Sequence, residues 1–294
     1  MIKKSAITIG TFDGVHKGHR FLINKTLCAA KKNNLKSVII VLEEPVKKVK
    51  GLLTTYEEKI EEIKFLGADE IFIIEVRSEI LSCDPNEFFD EFLYKTLNVS
   101  KIVCGSNFAF GKDRKGNIKW LKKKTREKSI RLNIVEPLKD ASKQISSSYI
   151  RMLIEKGDVK NAARLLGRNY SFTGIPFNEK GAGKKLGFPT VNLRVNSDKL
   201  LPKGVYISLI SQNERIYLSL TNIGIRSTFD RGNKIVPETH ILDFEGTWKK
   251  LQTKVMLLEK IRNEKKFADS EALKAQISKD VSVALRFLKN QKTR

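Results

Sequence analysis

The amino-acid sequence predicts a doubly wound α/β parallel-sheet domain over residues 1–166, followed by a small antiparallel β-barrel domain with a C-terminal helix over 167–294. Three observations lead there. In the first half, short β-branched runs alternate with helix-length segments, the pattern of parallel strands joined by crossover helices and buried on both faces. After Gly167, strand-like runs follow one another through short polar connections, as hairpins that close a barrel do. The end of the chain carries apolar residues at spacings of three and four, the period of a helix.

Taken in order, the runs at 6–11, 37–42, 70–76, 101–105 and 131–137 are the expected parallel strands. Residues 151–166 read as a helical linker region, with Ile150, Leu153, Ile154, Ala162, Leu165 and Leu166 on its apolar face and Gly157 interrupting it. The barrel strands are expected at 171–177, 205–210, 216–220, 235–244 and 253–259. Asp269 and Ser270 are placed to cap the final helix, whose apolar face holds Leu273, Ile277, Val281 and Leu288.

Composition narrows the function class. Hydrophobic residues make up 40% and charged residues 30%, a balance that folds and does not suit a disordered chain. The run Val38-Ile39-Ile40-Val41-Leu42 falls far short of the ~20 residues that span a bilayer, so no membrane partner is expected. Lys3 and Lys4 precede only a brief apolar run with no small-residue cleavage site, which argues against a signal peptide. Cys28, Cys83 and Cys104 are odd in number and widely spaced, which disfavours a disulfide framework or a zinc site and points to the reducing cytoplasm. The net charge of +23 attracts polyanions. Its densest stretch, 112–131, holds ten basic residues against Asp113 and Glu127. No helix-turn-helix, zinc-finger or RNA-binding aromatic motif accompanies it, so nucleic acid is the less favoured partner and phosphorylated small molecules the more favoured. A monomer or weak oligomer is expected.

Two constellations carry chemistry. The first strand runs into Gly10-Thr11-Phe12-Asp13-Gly14-Val15-His16-Lys17-Gly18-His19, and the chain turns helical from Arg20. A glycine-bearing turn between strand and helix brings N–H groups to phosphate oxygens, and the helix N-terminus adds partial positive charge. His16 and His19 then face one anion across the space kept open by Gly18. This suits nucleotidyl transfer from ATP, where positioning and charge neutralisation do most of the work. Further along, Ser146, Ser147 and Ser148 with Arg151 form a hydroxyl cluster and a cation at a helix start. That group suits the departing phosphates, and read alone it is equally a capped helix.

In the second half, Gly181, Gly183 and Lys185 belong to a flexible flap able to hold phosphates. Thr190 and Asn192, two residues apart on an extended segment, share a face and offer neutral oxygens to Mg²⁺. By spacing alone this is also a plain Gly/Pro-rich turn with a polar strand. Pro237-Glu238-Thr239-His240 sets a carboxylate within an apolar strand, where it can take a proton from an alcohol. His240 shares its face and reads as a structural residue.

Thr11-Phe12-Asp13-Gly14-Val15-His16-x-Gly-His19, Gly105-Ser-Asn107-Phe108-Ala-Phe110-Gly111 and Ile145-Ser-Ser-Ser148 resemble the adenylyltransferase module of the bifunctional bacterial riboflavin kinase/FAD synthetases. Pro189-Thr190-x-Asn192 and Glu238-x-His240 resemble the riboflavin kinase module of the same family. The resemblance spans nearly the whole chain. It implies a nucleotidyltransferase fold for the first domain, and two reactions that use ATP and Mg²⁺: riboflavin to FMN in the barrel, and FMN to FAD with release of pyrophosphate in the α/β domain. It also implies that Glu238 activates the ribityl hydroxyl, that Thr190 and Asn192 bind Mg·ATP, and that Asn107, Phe108, Asn222, Arg262 and Phe267 lie along the flavin. The sequence departs from the family at Leu42-Glu43-Glu44-Pro45-Val46, where a Pro-His-Pro turn is usual, and at Asn107, where aspartate is usual. A chain retaining the kinase with weak adenylyl transfer is therefore the alternative expectation.

Overall fold

The computed structural model describes residues 3–43, 51–75, 83–111, 114–177, 187–228 and 232–292. The flap residues Gly181, Gly183 and Lys185, and Glu44-Pro45-Val46, lie outside them. The chain forms two compact units, Met1–Ser147 and Ser148–Arg294. This division falls earlier than the composition break after residue 166, and the helical segment between belongs to the second unit.

The first unit holds β1 (Ser5–Gly10), α1 (Lys17–Lys32), β2 (Lys36–Leu42), α2 (Tyr56–Phe65) and β3 (Glu70–Ile74). Then come α3, a short turn (Pro85–Glu87) running into a π-helix (Phe88–Thr96), and β4 (Val99–Gly105). A hairpin of β5 (Ala109–Phe110) and β6 (Gly116–Asn117) leads to α4 (Ile118–Glu127), β7 (Arg131–Val135), β8 (Lys139–Asp140) and β9 (Lys143–Gln144). The main sheet is parallel throughout, in the order β3-β2-β1-β4-β7. Strand order reverses between β1 and β4, and in such sheets the crevice beyond the carboxyl ends at that switch receives ligands.

Alternation along β1 and β2 sorts the core into two layers. Ile7, Ile9, Val38 and Ile40 pack with Phe88, Phe89 and Leu93 of the π-helix. Ile39 and Val41 face the other way, onto Phe12, Val15, Ile23 and Ile63. Both faces are therefore covered, as the near-continuous apolar strands require.

The second unit opens one residue into α5 (Ser147–Glu155), which α6 (Val159–Leu166) follows. They are separated at Gly157, whose φ of +80° is a left-handed conformation that favours glycine. Six strands follow: β10 (Tyr170–Phe177), β11 (Thr190–Val195), β12 (Gly204–Gln212), β13 (Arg215–Thr228), β14 (Gly232–Ile241) and β15 (Thr253–Arg262). They close a barrel in the order β10-β11-β14-β13-β12-β15, with antiparallel pairing. Ser208, Ser219, Thr221 and Thr239 are fully buried. Their hydroxyls link in a chain, Ser208 to Ser219 and to Thr221 at 2.8 Å, and Thr221 to Thr239 at 3.0 Å. The final helix α7 (Ser270–Lys292) lays Ala284, Val281 and Phe287 on Ile207, Leu218, Leu220 and Leu242.

Candidate active sites

In the first unit the turn after β1 is held under backbone strain. Phe12 and Val15 have φ of +50° and +38°, and Gly14 has +82°. For β-branched Val15 this is a rare conformation, of the kind that persists where surrounding contacts over-determine it. Those contacts are visible. The buried Asp13 carboxylate accepts from the backbone N–H groups of Leu53 (3.2 Å) and Thr54 (3.1 Å) and from the Thr54 hydroxyl (3.3 Å). Gly14 N–H donates to Thr54 Oγ1 at 3.0 Å, and Val15 N–H to the Phe12 carbonyl at 3.0 Å. Phe12, Asp13 and Gly14, read from the sequence as phosphate contacts, therefore build the turn: the Phe12 ring is core, and the Asp13 and Gly14 polar groups are engaged within the protein. Gly10 leaves room for that ring, since a Cβ there would stand 3.0 Å from it.

His16 caps α1 and its Nδ1 accepts from His19 N–H at 3.3 Å. An Nδ1 that accepts a hydrogen bond carries no proton, which leaves the N–H of the ring on Nε2. The two rings stack, centroids 3.6 Å apart and planes 20° from parallel. A side chain at Gly18 would meet the His16 ring at 3.1 Å. Burial first, then the neighbouring His16 and the Lys59 ammonium, hold the His19 imidazole well below its ordinary pKa, so it stays neutral. Its Nδ1 is buried with no hydrogen-bond partner among the described residues. Lys59 is itself buried on α2. The serine motif reaches this turn: Ser147 Oγ donates to the Asp13 carbonyl at 2.9 Å. Ser148 and Arg151 lie on α5, in the second unit.

At the end of β4, Asn107 is exposed and Phe108 half-buried, beside an open cleft of about 450 Å³ that Ser106, Arg114, Asn117 and Lys119 also line. The Phe108 ring leans on Phe110 at 5.6 Å.

The second site follows from barrel register. Asn192 pairs with Glu238, and Glu238 with Asn222, in one row across β11, β14 and β13. Thr190, His240 and Leu220 form the adjoining row. The period of two turns both rows to the same face, with Thr239 and Thr221 pointing to the opposite one. Thr190, Leu220, Asn222, Glu238 and His240 line a cavity of about 310 Å³. His240 Nδ1 lies 2.9 Å from the Pro189 carbonyl, so it donates, and the ring stands edge-on to Phe188 at 5.3 Å. One ring nitrogen of His240 is thus engaged within the protein, on the face of Glu238 as strand alternation expects.

Arg262, offered by the sequence as a cation for the flavin, lines the same cavity, and its guanidinium is also paired within the protein: Nε and Nη2 donate to Asp280 Oδ2 at 3.0 and 2.8 Å. Phe267 stands as a wall, its centroid 5.7 Å from that guanidinium. Leu273, Ile277 and Asp280 also line the cavity from α7. Sequence reasoning missed Thr54, Lys59, Glu264 and Asp280. Lys59 left one signal, a lysine between Ile60 and Ile63 and the helix cap.

Residues 1–149 match the family described as FAD synthetase and residues 166–288 the family described as riboflavin kinase. The chain is 32% identical to a bifunctional riboflavin kinase/FMN adenylyltransferase from Bacillus subtilis, covering 98% of this chain and 93% of that protein. It is 30% identical to one from Escherichia coli, covering 96% and 92%. A crystal structure named as a macrolide-efflux protein from Streptococcus pneumoniae is similar at 29% identity and a TM-score of 0.86, covering 96% and 94%. Among the described residues here, no helix is long and apolar enough to cross a membrane. Two family matches, each on the unit that carries its motif, and relatives alike from end to end place the chain in the family of bifunctional riboflavin kinase/FMN adenylyltransferases.

Proposed function

We propose that the two family activities divide between the two sites, with riboflavin phosphorylated at the Glu238 cavity and the resulting FMN adenylylated at the His16/His19 turn. The observation that carries this reading is the row Asn192–Glu238–Asn222, which pairs one carboxylate with an amide on each side, Glu238 and Asn222 lining the cavity. In the kinase step the ribityl hydroxyl oxygen bonds to the γ-phosphorus of ATP while the bond to the bridging oxygen of ADP breaks. Glu238 takes the hydroxyl proton. Phe267, Leu273 and Ile277 supply the apolar wall that a flavin ring needs.

Thr190 and Asn192 fit a hard cation. Asn192 Oδ1 is buried with no hydrogen-bond partner among the described residues, and Thr190 shares its face. Mg²⁺ bound there draws charge from the phosphate oxygens of ATP. Gly181, Gly183 and Lys185 serve the same phosphates in this reading.

In the second step an FMN phosphate oxygen bonds to the α-phosphorus of ATP and pyrophosphate leaves, so no proton needs removal. His16, through Nε2, and His19 supply N–H donors to the charge that develops there. Ser146 and Ser147, in the same unit as the turn, receive the pyrophosphate, and Asn107 and Phe108 hold the flavin. A reducing, cytoplasmic place of work is supported by three free cysteines, of which Cys28 is exposed. The test supplies purified protein with riboflavin, ATP and Mg²⁺: chromatography should show FMN and then FAD. Absence of both products overturns the reading, and FMN alone restricts it to the kinase.

A further inference from the structure

The cavity around Glu238 is closed on one side by a helix that the barrel does not covalently constrain beyond the end of β15. Val281, Ala284 and Phe287 hold the later turns of α7 on the barrel by apolar packing, and beside the cavity a polar contact is added. Asp280 is 3% exposed and sits on the inner face of α7. Its carboxylate takes a forked pair of donors from Arg262, the last residue of β15: Nε reaches Oδ1 at 3.3 Å and Oδ2 at 3.0 Å, and Nη2 reaches Oδ2 at 2.8 Å. Gln276, one turn earlier on α7, donates to Oδ1 at 2.9 Å. Arg262 Nη1 donates to the Asn263 carbonyl at 3.2 Å, which ties the same guanidinium to the chain just after the strand. The guanidinium stands over the Phe267 ring, 5.7 Å from its centroid. One carboxylate thus fixes the angle of α7, the conformation after β15 and the aromatic wall together. Fork geometry makes this contact directional in a way that apolar packing is not.

We propose that Asp280 is a positioning residue for the flavin: through Arg262 it holds Phe267, Leu273 and Ile277 as the wall against which riboflavin binds, and it takes no part in the phosphoryl step. This rests on the reading of the cavity as the riboflavin site. Asp280 is fully engaged by Arg262 and Gln276, and Glu238 already serves as proton acceptor. Removal of the carboxylate therefore loosens the wall and leaves the reacting atoms in place, the signature of lost ground-state binding.

The experiment uses the full-length protein. Asp280→Asn should raise the KM for riboflavin about tenfold, with kcat and the KM for ATP within about twofold of the parent. Gln276→Ala, a milder change that keeps the ion pair, should raise the same KM about threefold. The double substitution R262M/D280L replaces the fork by apolar packing of similar volume. It should fold, as such replacements do, yet recover less than half of the lost affinity, because apolar contact does not orient the wall. The retained kcat for riboflavin phosphorylation reports that the barrel of each variant is intact, and adenylylation of supplied FMN, carried by the other unit, normalises for the amount of active protein. A fall in kcat with an unchanged riboflavin KM, or no change in either variant, overturns the proposal. Glu238→Gln separates the two levels: if it turns over normally, the site reading itself fails, whereas if it binds riboflavin without turnover, the Asp280 results stand alone.

Discussion

At the scale of single residues, each site turns on ionisable side chains. His19 is kept neutral by burial, by the stacked His16 and by Lys59. The sign of the consequence follows. Below the ordinary imidazole pKa of 6.5 the unfolded chain takes up a proton that the folded turn refuses, so the stability due to His19 is complete above that pH and declines as the pH falls. Thermal melts of the parent and of His19→Asn between neutral and mildly acidic pH should therefore converge on the acid side. A constant gap would show that the imidazole is not held neutral. Glu238 acts at the other site, and Glu238→Gln should lower riboflavin phosphorylation by about 10²–10⁴-fold, the range for a lost general base, while FMN adenylylation measured on the same sample is retained. The juxtaposition of His16 with His19 and the shared face of Thr190 and Asn192 were legible in the sequence because they are local, a spacing of two or three residues at a helix start or on a strand, whereas Glu238 joins Asn192 only through barrel register. Asp280 and Thr54 were not legible, because each acquires its role from a partner that only folding brings near, Arg262 in one case and Asp13 in the other.

Among elements, the turn after β1 and the segment before α2 form one device. Asp13 accepts three hydrogen bonds from Leu53 and Thr54, and Thr55 then caps α2 in a reciprocal pair with Glu58. Asp13→Ala leaves those N–H donors buried and unpaired, so it should destabilise the first unit by about 2–4 kcal/mol, read by denaturant unfolding, and should suppress adenylylation while the kinase persists. Equal loss of both activities would contradict two separately built sites. The five parallel strands were each anticipated from β-branched runs, and α7 from its three-and-four spacing. The π-helix at Phe88–Thr96 was not, because its register is set by aromatic packing with distant partners. Phe88 lies 5.0 Å from Phe110, and Phe89 lies 5.8 Å from Trp120. β11 also escaped notice as a barrel strand, since the Gly/Pro-rich stretch before Thr190 reads as turn.

For the whole molecule, the charge of +23 acquires a location. Lys119, Lys122, Lys123 and Arg126 are exposed on α4 at helical spacings of three and four, and none has a carboxylate partner among the described residues. Lys119 also lines the cleft beside Asn107. Such a stripe raises the encounter rate of anionic substrates and is screened by salt. The double substitution K122E/K123E should thus lower kcat/KM for FMN in adenylylation severalfold at low ionic strength, leave kcat unchanged, and converge with the parent at high salt. Phosphorylation of uncharged riboflavin is the control that should not move with it. The barrel contributes something of a different kind. Its interior is threaded by the linked hydroxyls of Ser208, Ser219, Thr221 and Thr239, and Thr239 stands between Glu238 and His240 on one strand. A slip of β14 by one residue would thrust Glu238 and His240 into the hydroxyl-lined interior and turn Thr239 toward the cavity. The hydroxyl chain would break and a carboxylate would be stranded without water, so the misthreaded barrel is penalised twice. The arrangement that can perform catalysis is thereby also the one that the chain can close, and assembly of the barrel proofreads its own active face.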